Sequence, residues 1–179
     1  MLSRQILEHF DGFLETHGLR LDAIVVGGSA LVLLGIIDRP TRDVDVLHPD
    51  LSPEIAGASR VFALEMRQRG IELADTWLNN GPSSLSKVLP DGWRHRTQPA
   101  FSGRALLLET LGRADLLKTK LFALCDRGTD LADCIAFSPT AEELADAQPW
   151  VALQDANEFW PSHVETTIRD LRRRIGHDV

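Results

Sequence analysis

Apolar residues at Ile6, Phe10, Phe13 and Leu14 recur at helical spacing, which predicts an amphipathic helix over residues 3–17. The pattern then changes. AIVVGG at 23–28 is a short β-branched run closed by glycines and reads as a buried strand. Residues 29–34 read as a helix that Gly35 can close. DRPTR is a turn, and DVDVL at 43–47 is a second strand. In SPEIAGASRVFALEMRQRG, Ser52 is placed to cap a helix with Pro53 at its first position, and Gly70 ends it. IELADTWLN at 71–79 is taken as a third strand. NNGPSS is a loop, and residues 81–104, polar and rich in Pro and Gly, give no clear period.

Beyond that stretch, ALLLE at 105–109 reads as another strand, and ADLLKTKLFALCDRG as a helix stopped by Gly128. A further helix begins near Asp130 and runs toward Phe137. Thr140 with Glu143 forms the pattern of a capping box for a helix near 141–147. Val164, Ile168, Leu171 and Ile175 make an apolar stripe on a last helix. Strands fall mostly in the first 110 residues and helices after them. The expectation is one α+β domain over residues 1–179: a small mixed sheet flanked by helices at about 20–110, then a helical part at about 111–179.

Charge and composition narrow the function. The chain carries 19 Lys and Arg against 26 Asp and Glu, a net charge of −7. That is not the make-up of a general nucleic-acid coater. The one dense basic run, RDLRRRIGH at 169–177, reads as the solvated face of the last helix, with a contact to RNA phosphates or an acidic partner as the alternative. Cys125 and Cys134 form no CxxC motif and read as reduced thiols. The longest apolar run, ALVLLGII, is too short to span a bilayer, and no signal-peptide pattern precedes the first helix. A cytoplasmic protein with no membrane association is expected.

The candidate chemistry lies in DVDV. Asp43 and Asp45 are two apart, so on a strand both carboxylates leave the same face. Ionised groups in an apolar strand are costly unless a partner compensates their desolvation. A divalent cation does so: Mg²⁺ takes oxygen ligands, typically one or two carboxylates plus substrate phosphates. Two such carboxylates can also bridge a pair of metals about 3.5–4 Å apart. A lone DxD is common, but here a strand ending in Gly27, Gly28 and Ser29 opens directly into a helix just upstream. Glycines let a phosphate approach the backbone, and Ser29 offers a hydroxyl. Arg42, beside Asp43, serves either a phosphate or a salt bridge.

GGSA followed by RPTRDVDV resembles the signature of the nucleotidyltransferase superfamily that includes DNA polymerase beta. The spacing is most similar to the small bacterial branch of abortive-infection nucleotidyltransferase toxins and their uncharacterised relatives. DTWLN, LLKTKLFALCDRGTDLADC, SPTAEEL and PWVALQD extend the resemblance over most of residues 20–155. The resemblance implies that Gly27, Gly28 and Ser29 hold the triphosphate of an NTP and that Asp43 and Asp45 hold Mg²⁺. It implies catalytic roles for Lys120 and for Asp130 or Asp133. It also implies transfer of NMP to a hydroxyl acceptor, a tRNA or a protein, and a cognate toxin–antitoxin partner. The superfamily at large supplies a third carboxylate from a further strand, and Asp75 and Glu109 are the strand candidates for it here. Without one, a degenerate nucleotide-binding or partner-binding module is the alternative.

Overall fold

The computed structural model describes residues 3–39 and 41–177. These divide into two compact units, Met1–Leu111 and Gly112–Val179. The first holds a mixed five-stranded sheet and three of the seven α-helices found among the described residues; the second holds the other four. The fold class is the expected α+β, with a helical C-terminal part.

In the first unit, helix α1 (Arg4–Thr16) starts at Ser3, whose hydroxyl accepts the Ile6 N–H, and buries Ile6, Leu7, Phe10 and Leu14. Strand β1 (Leu21–Val26) runs into helix α2 (Gly27–Leu33), which begins two residues earlier than the sequence predicts. Strand β2 (Val44–His48) begins just after Asp43. Pro40, in the expected turn before it, lies outside the described residues. Helix α3 (Pro53–Gln68) has the predicted start, with the Ser52 hydroxyl accepting the Ile55 N–H at 3.2 Å.

Two expectations need correction. The third strand, β3, is confined to Leu78–Asn79, because Ala74–Trp77 forms a turn closed by the Trp77 N–H on the Ala74 carbonyl. The unread stretch after it holds two short 3₁₀ turns, Ser83–Lys87 and Trp93–Arg96, and then strand β4 (Gln98–Ser102). β4 was concealed because it is an edge strand, mostly uncovered and containing Pro99, as edges tolerate. Strand β5 (Leu106–Thr110) completes the sheet in the order β3-β2-β1-β5-β4. β1 is antiparallel to β2 and parallel to β5; β2 is parallel to β3; β4 is antiparallel to β5.

Along β1, Leu21, Ala23 and Val25 are buried while Asp22 and Ile24 are not, so one face of the sheet carries the core. Phe10, Phe62 and Trp77 meet there, with ring centroids 4.9–5.7 Å apart, and Trp77 gives its indole N–H to the Ser59 carbonyl. The more open face includes Asp22, Ile24, His48 and Glu109, which line a shallow cavity of about 390 Å³. Asp11 ties α1 to the β4–β5 hairpin by accepting the N–H groups of Arg104, Ala105 and Leu106 at 2.7–3.1 Å.

The second unit comprises α4 (Arg113–Arg127), α5 (Leu131–Phe137), α6 (Ala141–Ala152) and α7 (Trp160–Arg174). Gly128 ends α4 in the left-handed conformation that favours glycine (φ +70°). The Thr140–Glu143 capping box is present, although α6 runs on through Pro149 to Ala152. Arg113 reaches Glu143 at 2.6 Å and stacks over Phe137. In α7, Val164, Ile168 and Leu171 are buried as predicted, while Ile175 lies past the last turn and is half-exposed.

Candidate functional site

Asp43 immediately precedes β2, one residue short of the predicted strand start, and Asp45 is the second residue of β2; burial alternates, with Asp43 half-buried, Val44 buried and Asp45 half-buried. Asp45 pairs with Val26 of β1, so its side chain shares the face of Val26 and lies over the turn into α2. Gly27 occupies that turn with φ +74°, a region L side chains rarely adopt. A Cβ at Gly27 would come within 2.6 Å of Asp45 Oδ2. The glycine is therefore what leaves room for the carboxylate, and the two sequence features lie side by side.

Asp43 is joined to the same turn through Thr41. The buried Thr41 hydroxyl lies 3.3 Å from the Asp43 carbonyl and 3.4 Å from its Oδ1. A Cβ on Gly28 would meet that hydroxyl at 3.3 Å. Ser29 is 1% exposed, and its Oγ donates to the Val26 carbonyl at 3.0 Å. That bond steadies the strand-to-helix corner and directs the hydroxyl proton inward. Arg42 is exposed.

Neither candidate for a third carboxylate stands beside Asp45. Asp75 is in the turn before β3 and pairs with Arg67 at 2.7 Å. Glu109 pairs with Ile24, and its Oε2 accepts the Thr97 hydroxyl. It shares the open sheet face with Asp45, but two strands away and two residues along, about 12 Å between α-carbons from ordinary sheet spacings. The residue paired with Asp45 on β3 is Asn79, whose Nδ2 donates to Asp45 Oδ1 at 3.2 Å. Asn79 and Thr41 were not singled out by sequence. Asn79 meets Asp45 only through the β2–β3 register, and Thr41 meets Asp43 through a local hydroxyl contact. Among the described residues, no three or more His, Cys, Asp or Glu side chains converge as a metal centre. The oxygen donors of Asp43 and Asp45 nonetheless suit a hard cation that keeps water and phosphate as its other ligands.

The helical unit brings Lys120, Asp130 and Asp133 together. Lys120 Nζ lies 2.9 Å from Asp130 Oδ1 and 2.7 Å from Asp133 Oδ2, with the lysine only 5% exposed. Asp130 precedes the first residue of α5 and also accepts from Arg127 at 3.1 Å. Burial pushes the Asp130 carboxyl up, but the bond and charge of Lys120, then those of Arg127, outweigh it and hold the group below the usual aspartate range. Lys120 is thus buried between two carboxylates of its own helical unit.

Residues 4–140 match a family model described as "Nucleotidyltransferase of unknown function (DUF6036)". The chain belongs to this family. No curated protein and no solved structure matches it. In this DUF6036 chain the matched range includes the Gly27–Ser29 corner, Asp43, Asp45 and Asn79, as well as Lys120, Asp130 and Asp133. Membership places the chain among nucleotidyltransferases. No helix among the described residues is long and apolar enough to cross a membrane.

Proposed function

We propose that this chain is a Mg²⁺-dependent nucleotidyltransferase that moves NMP from an NTP to a hydroxyl, releasing pyrophosphate. The supporting observation is the seating of the Asp45 carboxylate over the side-chain-free Gly27 at the β1–α2 corner. Asp43 and Asp45 would hold the cation, and Gly27, Gly28 and Ser29 would let the phosphates approach the backbone. Bound Mg²⁺ supplies neutralisation of phosphate charge and alignment of the reacting oxygens. The chain's own part is positioning: Thr41 and Asn79 each hold one carboxylate. Arg42, exposed beside the site, is offered to phosphate. By the resemblance to the toxin branch, Lys120 and Asp130 or Asp133 would serve catalysis. The same resemblance makes the acceptor a tRNA or a protein and gives the chain a toxin–antitoxin partner.

A second reading has one observation in its favour. With Asn79 rather than a carboxylate beside Asp45, the chain can bind nucleotide and cation without efficient transfer. Thermal melting with each NTP, with and without Mg²⁺, tests the site. A Mg²⁺-dependent rise is expected in wild type, about 2.7 kcal/mol of stabilisation when ligand is at 100 times its Kd, and none in Asp43→Asn/Asp45→Asn. Equal rises in both proteins refute the assignment. Label passing from an α-³²P NTP to tRNA or protein then separates transfer from binding.

A further inference from the structure

The loop NNG after β3 serves as more than a turn. The Asn79 carboxamide is engaged at both ends: Oδ1 accepts the Gly81 N–H at 2.7 Å, while Nδ2 faces Asp45 Oδ1 at 3.2 Å and the Thr76 carbonyl at 3.5 Å. These partners settle which end of the amide is which. A backbone N–H can only donate, and a carbonyl oxygen only accepts, so the NH₂ group must face Thr76 and Asp45. The next residue fixes the strand that carries it. Asn80 donates to the carbonyls of Val46 and Pro49, both at 3.0 Å, and accepts the Leu51 N–H at 2.7 Å. β3 is only two residues long, and these side-chain bonds pin its end to β2 and the segment after it.

We propose that Asn79 is a positioning residue of the cation site: it fixes the Asp45 carboxylate while adding no third negative charge. The inference rests on the cation-site reading above. An amide is suited to this task where a carboxylate is not. It holds Asp45 by donation before any cation arrives, whereas a second carboxylate at hydrogen-bond distance would repel it until a cation intervened. Partners that orient a ligand in this way commonly alter metal affinity about 10–100-fold. The cation then meets two carboxylates, which leaves its remaining positions to phosphate and water.

Two substitutions at Asn79 separate positioning from support of the fold. Asn79→Ala removes the donor. Asn79→Asp keeps the shape and an oxygen for the Gly81 N–H, but replaces the donor with a charge. The probe is Mn²⁺, titrated by electron paramagnetic resonance with a non-hydrolysable NTP analogue present and no turnover, and paired with thermal melting. Asn79→Ala is expected to weaken Mn²⁺ about 10-fold. Asn79→Asp is expected to bind Mn²⁺ about 10-fold more tightly, as added ligand charge does, and to melt below wild type when the cation is absent. A purely structural Asn79 would make both variants worse or leave both unchanged, and either result overturns the proposal. If Asn79→Ala fails to fold, Asn79→Asp alone decides by the direction of its change. Mn²⁺ binding that is absent in wild type, or unchanged in Asp43→Asn/Asp45→Asn, removes the cation site itself and this inference with it. Binding lost in that double variant but unaltered at Asn79 removes only the inference.

Discussion

Lys120 sits with its ammonium between two carboxylates, and Asp133 is 2% exposed. Lys120→Met keeps most of the aliphatic stem and removes the charge. It takes the ammonium away from the buried Asp133 carboxylate and leaves Asp130 with Arg127, whose side chain is 60% exposed and well screened. Removing one partner of a buried ion pair costs about 3–5 kcal/mol. With Arg127 still compensating part of Asp130, about 4 kcal/mol is expected. That is a large share of the roughly 5–15 kcal/mol that holds a domain folded. At about 2–4 °C per kcal/mol for a chain of this size, the melting temperature should fall by about 8–16 °C. Circular dichroism melts measure it. Adding Asp130→Asn and Asp133→Asn to Lys120→Met should restore at least half the loss, because neutral amides leave no stranded charge. The wild-type contribution also has a sign in pH. Asp130 is held below its unfolded value, so its stabilisation is complete above about pH 4 and is lost as pH falls through the folded pKa. Lys120→Met should accordingly close its gap with wild type as the solution is acidified. A loss below about 1 kcal/mol, or no recovery in the triple variant, would refute the buried-triad account. Should Lys120→Met fold normally but lose nucleotide affinity, the lysine would instead belong to phosphate.

Gly27→Ala forces a side chain into the φ +74° corner and against Asp45, so a loss of about 1–3 kcal/mol is expected. The NTP and Mg²⁺ melting shift should disappear with it; a retained shift would uncouple the corner from the carboxylate. Asp11→Ala removes the acceptor of three backbone N–H groups and should cost about 2 kcal/mol in urea unfolding. Burial raises the Asp11 carboxyl, but those N–H bonds and the Arg104 charge hold it below its ordinary value. Its stabilisation is therefore also present above about pH 4 and lost below, and the variant should show a flatter acid limb than wild type.

Local chemistry was legible in the sequence wherever the cause is local. Ser52 with Pro53, Thr140 with Glu143, and Gly128 mark helix ends because a cap is satisfied within a few residues. The β1 strand and the DVDV strand were legible from apolar runs. What failed depended on distant partners. Ile71–Asn79 looks like a strand by composition, yet only its last two residues find β2, because Asp75 is drawn to Arg67 and the chain turns before Trp77. β4 exists because β5 offers it an edge, not because its own residues alternate cleanly. The site divides the same way. Asp43, Asp45 and Gly27 announce themselves by type and spacing. Asn79 gains its meaning from a register across 34 residues, and Thr41 from a hydroxyl aimed at a neighbour.

The two thiols have a practical consequence. Cys125 and Cys134 are both buried and unpaired in disulfides. Burial, foremost among the causes, pushes Cys125 up to about 11 and Cys134 up to about 12. At neutral pH almost no thiolate is present, and both thiols are buried, which slows alkylation. The native thiols thus give a low background for cysteine labelling. A single cysteine introduced at Leu153, 82% exposed between the last two helices, would take a spin label or fluorophore without deleting the natural pair.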